Sequence, residues 1–159
     1  MGPSSASERA AANTRLFHYT IGLHLPRIAG EGLLNPSEPF ATQMAAVWLS
    51  ANPLWEEAVV KSTLRDGARV ALCKQEIIAL GQGLVRFEVA GGDHICAWQE
   101  FIARSGVDAD LVRHLETSGR ARGADPAEWY AALRAIPRAE WLDLSLWDVD
   151  ANEWQSVEL

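Results

Sequence analysis

Short segments in which hydrophobic and polar positions alternate run through this chain, and they predict β-strands. In segment 15–20, Leu16 and His18 fall on one face and Phe17 and Tyr19 on the other, because successive side chains of a strand point to opposite sides. The first strand therefore presents His18 to a defined side of a sheet. We predict further strands at 46–50, 69–73 and 84–89, and a terminal hairpin that pairs 140–149 with 154–159.

Segment 84–89 shows the alternation most clearly. Val85, Phe87 and Val89 share one face, and Arg86 and Glu88 share the other. One face is therefore expected to be buried, and the opposite face is expected to carry a pair of opposite charges.

Apolar residues at three- and four-residue spacing predict helices between these strands. A short helix follows the first strand, with Pro26 in its first turn and a glycine at 30 or 32 to end it. Segment 96–117 predicts two helices separated by Gly106.

Two more helices are predicted from their start signals. Asn-Pro at 52–53 is suited to cap and open a helix through 55–62. Asp-Pro-Ala-Glu at 125–128 has the form of a capping box, and an apolar stripe with helical spacing follows over 129–136 until Pro137 ends it.

The resulting order is strand, helix, strand, helix, strands, helices and hairpin. It predicts an α+β fold, with small mixed or antiparallel sheets and helices packed around them. Residues 1–14 are small and polar and predict a flexible tail, whereas 15–159 are expected to form a single globular domain.

Composition narrows the function classes. The chain has 159 residues, a formal charge of −7 and 48% hydrophobic residues, as expected for a globular protein with a sizeable core. Its basic residues include only two lysines, Lys61 and Lys74. Nucleic-acid backbone is therefore not expected as the principal ligand, since phosphate binding needs clustered positive charge.

The two cysteines, Cys73 and Cys96, have no CxxC spacing and no adjacent histidine cluster. We expect both to be reduced core residues of a cytoplasmic protein, with no zinc site. No apolar run approaches the roughly 20 residues that span a bilayer, so no membrane segment is expected.

Seven tryptophans are present in this short chain, and most are expected to pack in or near the core. They occupy positions 48, 55, 98, 129, 141, 147 and 154.

Four motifs follow one another near the start of the chain: Leu-Phe-His-Tyr-Thr at 16–20, Leu-Pro-x-Ile at 25–28, Gly-Leu-Leu at 32–34 and Val-Trp-Leu-Ser at 47–50. They describe a strand that carries a histidine, a short helix, a loop and a second strand that ends in a hydroxyl. This order resembles the front half of the ADP-ribosyltransferase-like fold. The resemblance implies an NAD-dependent transferase that needs no metal.

The resemblance also implies roles for particular residues. His18 would meet the adenosine ribose of NAD, and Thr20 or Tyr19 would line the same cleft. Ser50 would support the nicotinamide ribose, and Arg86 could hold the pyrophosphate with its guanidinium fork. Read without the resemblance, His18 is a structural strand residue and Arg86 belongs to a strand-face ion pair.

A carboxylate is needed to hold the ribose 2′-hydroxyl and to stabilise the oxocarbenium-like transition state. The resemblance assigns this catalytic role to Glu140, at the start of the predicted hairpin strand. Glu56 and Glu57 are the alternative carboxylates. Transferases with a His-Tyr-Glu set usually carry two later tyrosines beside the nicotinamide, and only Tyr130 follows Tyr19 here.

Aromatic residues supply candidates for stacking on a flat ring. Tyr19 and Trp55 are the candidates for a nicotinamide or adenine ring, whereas Trp48 is expected to support its strand from the core.

Two functions from different classes remain open. The first is the transfer of ADP-ribose from NAD to an unknown protein or nucleic-acid acceptor, in the manner of a toxin or modifier. The second is a non-catalytic interaction module that binds a protein through a Trp-rich surface in its C-terminal half.

Overall fold

A computed structural model describes residues 14–37, 44–59 and 62–158. The strands are β1 Leu16–Ile21, β2 Leu33–Leu34, β3 Val47–Ser50, β4 Ser62–Arg65, β5 Ala68–Ala71, β6 Leu84–Val89, β7 Ile95–Ala97, β8 Trp129–Ala132, β9 Ile136–Pro137, β10 Trp141–Asp148 and β11 Glu153–Ser156. The α-helices are α1 Leu25–Glu31, α2 Lys74–Gly81, α3 Trp98–Ser105 and α4 Ala109–Ala121. Single 3-10 turns occur at Gly22–His24, Pro126–Glu128 and Arg138–Glu140.

Within the described residues, seven strands form one sheet in the order β11-β10-β6-β1-β3-β8-β7. Every pair of neighbours in this sheet is antiparallel. Two small antiparallel pairs, β2 with β9 and β4 with β5, complete the strand pairing. The predicted α+β class is confirmed.

The seven-stranded sheet is covered on both faces. Face one, which carries Leu16, His18 and Thr20, packs against α1 and the β2–β9 pair through Ile28, Leu34 and Ile136. A single buried cluster on this face joins residues of β1, β3, β6, β7, β8 and β10. Face one therefore holds the main core of the molecule.

Face two, which carries Phe17, Tyr19 and Ile21, is divided between two separate clusters. The first joins β1 and β6 to α2, to the 51–59 segment and to the terminal hairpin. The second joins β7 and β8 to α3 and α4. The boundary between these two clusters lies between β1 and β3.

The hydrogen-bonded ladder is also interrupted between β1 and β3. β1 pairs with β6 through six residues, and β3 pairs with β8 through four. β1 and β3 share one residue pair in the described structure, Phe17 with Ser50. We call this interruption of the sheet the split.

Several predicted elements are confirmed. β1, β3 and β6 form where the alternation predicts them, and Arg86 and Glu88 share face two. α1 contains Pro26 in its first turn and ends at Gly32, which adopts a φ of 68°. Gly106, with a φ of 67°, separates α3 from α4, because glycine enters this left-handed region without steric cost.

The helix predicted over 53–62 is wrong. Residues 51–59 form turns without regular structure, and Ser62 begins β4. Asn52 does act as a cap-like residue, since its side chain accepts a hydrogen bond from the Leu54 N–H at 3.0 Å. After this turn no helix follows in residues 55–59, and tertiary contacts fix the conformation of the segment.

The helix predicted over 126–136 is also wrong. The Asp125 side chain accepts from the Ala127 N–H as predicted, but only a 3-10 turn follows. Residues 129–132 then enter the sheet as β8 between β3 and β7. Tyr130, Ala131 and Ala132 are all buried, so an apolar run that fits helical spacing equally fits a strand covered on both faces.

The remaining expectations have mixed outcomes. Cys96 is buried as predicted, whereas Cys73 is exposed, which corrects its assignment to the core. Six of the seven tryptophans are buried or half-buried. The predicted tail lies outside the described residues except for Thr14. No helix in the described part of the chain is long and apolar enough to cross a membrane.

Candidate functional site

His18 lies at the split, on face one. Its Nδ1 is 2.9 Å from the carbonyl oxygen of Trp48 in β3. Because a carbonyl oxygen can only accept, Nδ1 is assigned the proton, and Nε2 of the neutral ring is then an acceptor. A side chain of β1 thus contacts the backbone of β3 just beyond the single residue pair that joins the two strands.

Thr20 shares face one with His18 and is buried. Tyr19 lies on face two, where its ring contacts Trp55 at 5.2 Å and Trp154 at 5.8 Å between centroids. Its hydroxyl donates to the carbonyl oxygen of Asn52. Burial raises the pKa of Tyr19 well above its usual value, although the nearby Arg86 opposes this shift. Tyr19 is therefore a neutral hydrogen-bond donor that holds the 51–59 segment.

Ser50 is also on face two, at the end of β3, and is buried. Its hydroxyl donates to the Glu56 carboxylate at 2.7 Å and accepts from the Asn52 N–H at 3.1 Å. The same carboxylate accepts from Trp129 Nε1 at 2.9 Å and from the Ala58 N–H at 3.1 Å. Glu56 is only 7% exposed, and this network fixes the 51–59 segment against β3 and β8.

A second carboxylate lies close to this network. Burial, and after it the charges of Glu56 and Asp125, raise the pKa of Glu128. Its backbone carbonyl accepts from the Ala51 N–H at 2.9 Å. The region around Glu56 is therefore acidic.

Arg86 is engaged with its own chain on face two. Its guanidinium donates to the carbonyl oxygen of Pro53 and lies 3.4 Å from the Ser145 hydroxyl. It is also 5.0 Å from the ring centroids of Phe17 and Trp154. Its alternative role was an ion pair with a nearby acid, but Glu88, the acid on its own strand face, pairs with Arg15 at 2.6 Å. In this arrangement Arg86 anchors the 51–59 segment.

Glu140 lies in the 3-10 turn directly before β10 and pairs with Arg134. Both guanidinium Nη atoms donate to its carboxylate, at 3.0 Å each. His94 approaches the same carboxylate with Nε2 at 3.7 Å. The hydrogen bonds from Arg134 lower the pKa of Glu140, and His94 adds to this effect. Glu140 is consequently ionised at neutral pH.

His94 is a member of this cluster that the sequence did not indicate. Its side chain is 9% exposed, and burial, reinforced by the charge of Arg134, lowers its pKa. Nδ1 faces Arg134 Nη2 at 3.4 Å. A Cβ at Gly92 would lie 2.8 Å from the ring, so glycine lets the ring approach the backbone. His94 and Arg134 are 40 residues apart, and no spacing rule connects them.

The structure therefore distributes the predicted site residues over three places. His18 and Thr20 share face one beside the split. Tyr19, Ser50 and Arg86 lie on face two beneath the 51–59 segment. Glu140 forms its own cluster with Arg134 and His94.

The exposure of the aromatic residues also differs from the prediction. Tyr19 and Trp55 are buried against each other. Trp48 is 42% exposed on face two, with its ring 5.0 Å from Phe101, which corrects its assignment to the core. Trp48 therefore combines an exposed ring with a backbone carbonyl that contacts His18 at the split.

No group of three or more His, Cys, Asp or Glu side chains suited to a metal ion occurs within residues 14–37, 44–59 and 62–158.

The fold and the site together define an antiparallel α+β protein with a split sheet and a histidine at the split. Comparison of the chain with protein-family models, curated proteins and solved structures finds no match.

Proposed function

We propose that this chain is an ADP-ribosyltransferase-like protein that binds NAD at the split and transfers ADP-ribose to a protein or nucleic-acid acceptor. The observation that carries the proposal is the contact of His18 Nδ1 with the Trp48 carbonyl oxygen across the split. This contact orients the imidazole, so that Nε2 is the ring atom suited to accept from a ribose hydroxyl. Thr20, on the same face, would lie beside the ribose in this proposal.

The reaction breaks the bond between C1′ of the nicotinamide ribose and the ring nitrogen, and nicotinamide leaves with the electron pair. The acceptor's nucleophile bonds to C1′ and loses its proton. Positive charge develops on the ribose in the transition state, so an ionised carboxylate nearby lowers the barrier.

Glu140 is the proposed carboxylate, because Arg134 keeps it ionised at neutral pH. It would exchange one guanidinium contact for the ribose 2′-hydroxyl. Glu56 is less suited, since Ser50, Trp129 and the Ala58 N–H already occupy its oxygens. Ser50 and Arg86, engaged beneath the 51–59 segment, would act in this proposal by supporting β3 and that segment.

NAD titration of the purified protein, followed by tryptophan fluorescence, tests the binding step. Saturable binding is expected for the wild type, with a loss of about tenfold or more in His18→Ala, as for removal of a hydrogen bond in a desolvated site. His114→Ala, which changes an exposed histidine of α4, is the matched control. Absence of binding at millimolar NAD, or equal binding by both variants, would contradict the proposal.

Release of nicotinamide from NAD tests the chemical step. Glu140→Gln is expected to retain NAD binding and to lose most of this activity, because the amide carries no charge. If Glu140→Gln keeps full activity while His18→Ala loses binding, NAD binding at the split stands and the assignment of the carboxylate fails.

The interaction-module alternative now rests on a different tryptophan. The indoles of Trp129, Trp141 and Trp154 donate to groups of their own chain, whereas the ring of Trp48 is substantially exposed. Aromatic residues are enriched at interface cores. Under this alternative, Trp48→Ala abolishes partner binding and His18→Ala does not.

The compartment is part of the same proposal. Both cysteines are free, and unpaired thiols are typical of proteins that act in the reducing cytoplasm. We therefore propose a cytoplasmic site of action.

A further inference from the structure

We propose that a cavity between α2, the end of β5 and the end of α4 binds a small, flat organic anion. This cavity has a volume of about 320 Å³ and uses neither His18, Thr20 nor Glu140. The inference is therefore independent of the function proposed for the split.

The floor of the cavity is apolar. Trp55, Leu72 and Ile77 line it, and Trp55 and Ile77 are buried side chains of the first face-two cluster. The volume lies at the lower end of the range typical of small-molecule sites, about 300–1,000 Å³. The part of the Trp55 indole that reaches the cavity suits edge-on contact with a planar ring.

The rim carries more positive than negative charge. Lys74 and Arg122 line the cavity together with one carboxylate, Glu57. Lys74 Nζ lies 4.2 Å from the ring centroid of Trp147 and 5.6 Å from that of Trp55, so this ammonium is held above the aromatic floor. Its charge is thereby fixed at the edge of the cavity.

Arg122 is the residue that favours an anion. It follows α4 directly, is exposed, and makes no side-chain hydrogen bond or ion pair with the rest of the described chain. A guanidinium that has no partner among the described residues and lies at the rim of a cavity with an apolar floor can form a forked hydrogen bond with a carboxylate, sulfonate or phosphate. The proposed ligand therefore places its ring against the apolar floor, beside the Lys74 ammonium, and its anionic group at Arg122.

Cys73 supplies a direct readout of occupancy. It is exposed and lines the cavity, whereas the second cysteine, Cys96, is buried. Neutral iodoacetamide should therefore label Cys73 first, and Cys96 serves as an internal control for unfolding. A ligand in the cavity should slow the labelling of Cys73 alone.

The test uses 1-anilinonaphthalene-8-sulfonate as the anionic probe and N-phenyl-1-naphthylamine as its neutral counterpart. The sulfonate is expected to bind with a rise in its fluorescence. At ten times its Kd, it is expected to slow labelling of Cys73 by about tenfold, because only the empty fraction reacts. Equal affinity for both probes would overturn the requirement for an anion.

Variants locate the binding. Arg122→Gln is expected to weaken the sulfonate by about tenfold and to leave the neutral probe unchanged. Arg113→Gln is the matched control, because that arginine lies in α4, the helix that Arg122 directly follows, and pairs with Asp110. If Arg122→Gln and Arg113→Gln behave alike, the assignment of the anionic subsite fails.

Two alanine-to-phenylalanine variants test whether the probes bind inside the cavity. Ala71→Phe places a ring in the cavity lining and is expected to abolish binding of both probes. Ala68→Phe, at the exposed start of the same strand, should leave binding intact. Binding that persists in Ala71→Phe overturns the proposal.

His18→Ala separates this site from the split. It is expected to bind the sulfonate probe as the wild type does, whatever its effect on NAD. If NAD protects Cys73 in the wild type and not in His18→Ala, the cavity belongs to the NAD site and the proposal of a separate ligand fails.

Discussion

Glu56 fixes a segment that has no regular secondary structure of its own. Its carboxylate accepts hydrogen bonds from Ser50, Trp129 and the Ala58 N–H, so both of its oxygens have donors within the protein. Because a buried carboxylate without donors is costly, these three groups and the carboxylate depend on one another. These hydrogen bonds hold the 51–59 segment in place, and the segment covers face two near Tyr19.

We expect Glu56→Gln to lower the free energy of unfolding by about 1–3 kcal/mol, because the new amide presents a donor where donors already point. Urea denaturation measures the change. Glu57→Gln, at the exposed neighbouring position, is the control and is expected to change stability by no more than about 0.5 kcal/mol. Equal effects of the two variants would show that the network does not stabilise the segment.

The cluster of His94, Arg134 and Glu140 links stability to pH. The pKa of His94 is lowered by burial and by Arg134, while Glu140 and Asp93 oppose this shift. A histidine that binds its proton less readily in the folded state stabilises the fold above its unfolded pKa, and this contribution falls as the pH decreases. The lowered pKa of Glu140 acts in the same direction at more acidic pH.

The urea midpoint of the wild type is therefore expected to fall as the pH drops below about 6.5, the ordinary pKa of histidine. His94→Asn should remove the part of this fall that begins below pH 6.5 and keep the part that begins near the ordinary pKa of Glu140, 4.5. His114→Asn should follow the wild type. A wild-type midpoint that rises between pH 6.5 and 5 would contradict the inferred direction.

Sequence patterns could predict which face a strand residue occupies but not its partner. Alternation correctly placed His18 with Leu16 and Arg86 with Glu88. The contact of Trp129 with Glu56 spans 73 positions, and such pairs depend on strand order, which alternation does not specify. For the same reason the sequence could nominate Ser50 and Glu140 but could not show that they lie in different clusters.

Among the secondary-structure elements, the wrong predictions concern segments whose structure is determined by tertiary contacts. Residues 55–62 and 129–136 both fit helical spacing. In the first segment Glu56 is held by hydrogen bonds from Ser50 and Trp129, and the second segment contributes a strand to the sheet interior. Helices with local stop signals, such as those that end at Gly32 and Gly106, were predictable because glycine acts within its own turn.

The junction between β1 and the end of α2 depends on glycine for close approach. A Cβ at Gly22 would lie 2.1 Å from the backbone oxygen of Gln82, and a Cβ at Gly81 would lie 2.7 Å from Ile21. The Gly22 N–H donates to the Gly83 carbonyl oxygen at 3.0 Å. The two elements therefore meet backbone to backbone.

Gly22→Ala is expected to destabilise the protein by about 1–3 kcal/mol, the usual cost of overpacking, because the obstructing atom belongs to the backbone. The matched substitution is Gly30→Ala in α1, where a Cβ meets nothing within 4 Å. That variant should gain up to about 1 kcal/mol from helix propensity. Thermal unfolding of both variants checks the pair, and a Gly22→Ala protein as stable as Gly30→Ala would contradict the proposed close approach.

At the scale of the whole molecule, the split divides packing as well as hydrogen bonding. The two clusters on face two belong to opposite sides of it, whereas the single cluster on face one contains residues from both sides. Local opening free energies follow the contacts that hold each part. On face two the hydrogen bonds of the 51–59 segment join the two sides, whereas the apolar clusters there stay separate. We therefore expect the β3–β8–β7 side to loosen more readily on face two than on face one, where a shared cluster couples it to the rest.

Phe101→Ala tests this division, because Phe101 is buried in the face-two cluster beside β7 and β8. A cost of about 3–5 kcal/mol is expected, and hydrogen exchange should show it first in the amides of β8, with β6 and β10 less affected. Phe87→Ala, in the shared face-one cluster, should lower protection on both sides equally. If Phe101→Ala lowers protection in β6 as much as in β8, the molecule opens as one unit. The split would then interrupt the hydrogen bonding of the sheet without separating regions of different stability.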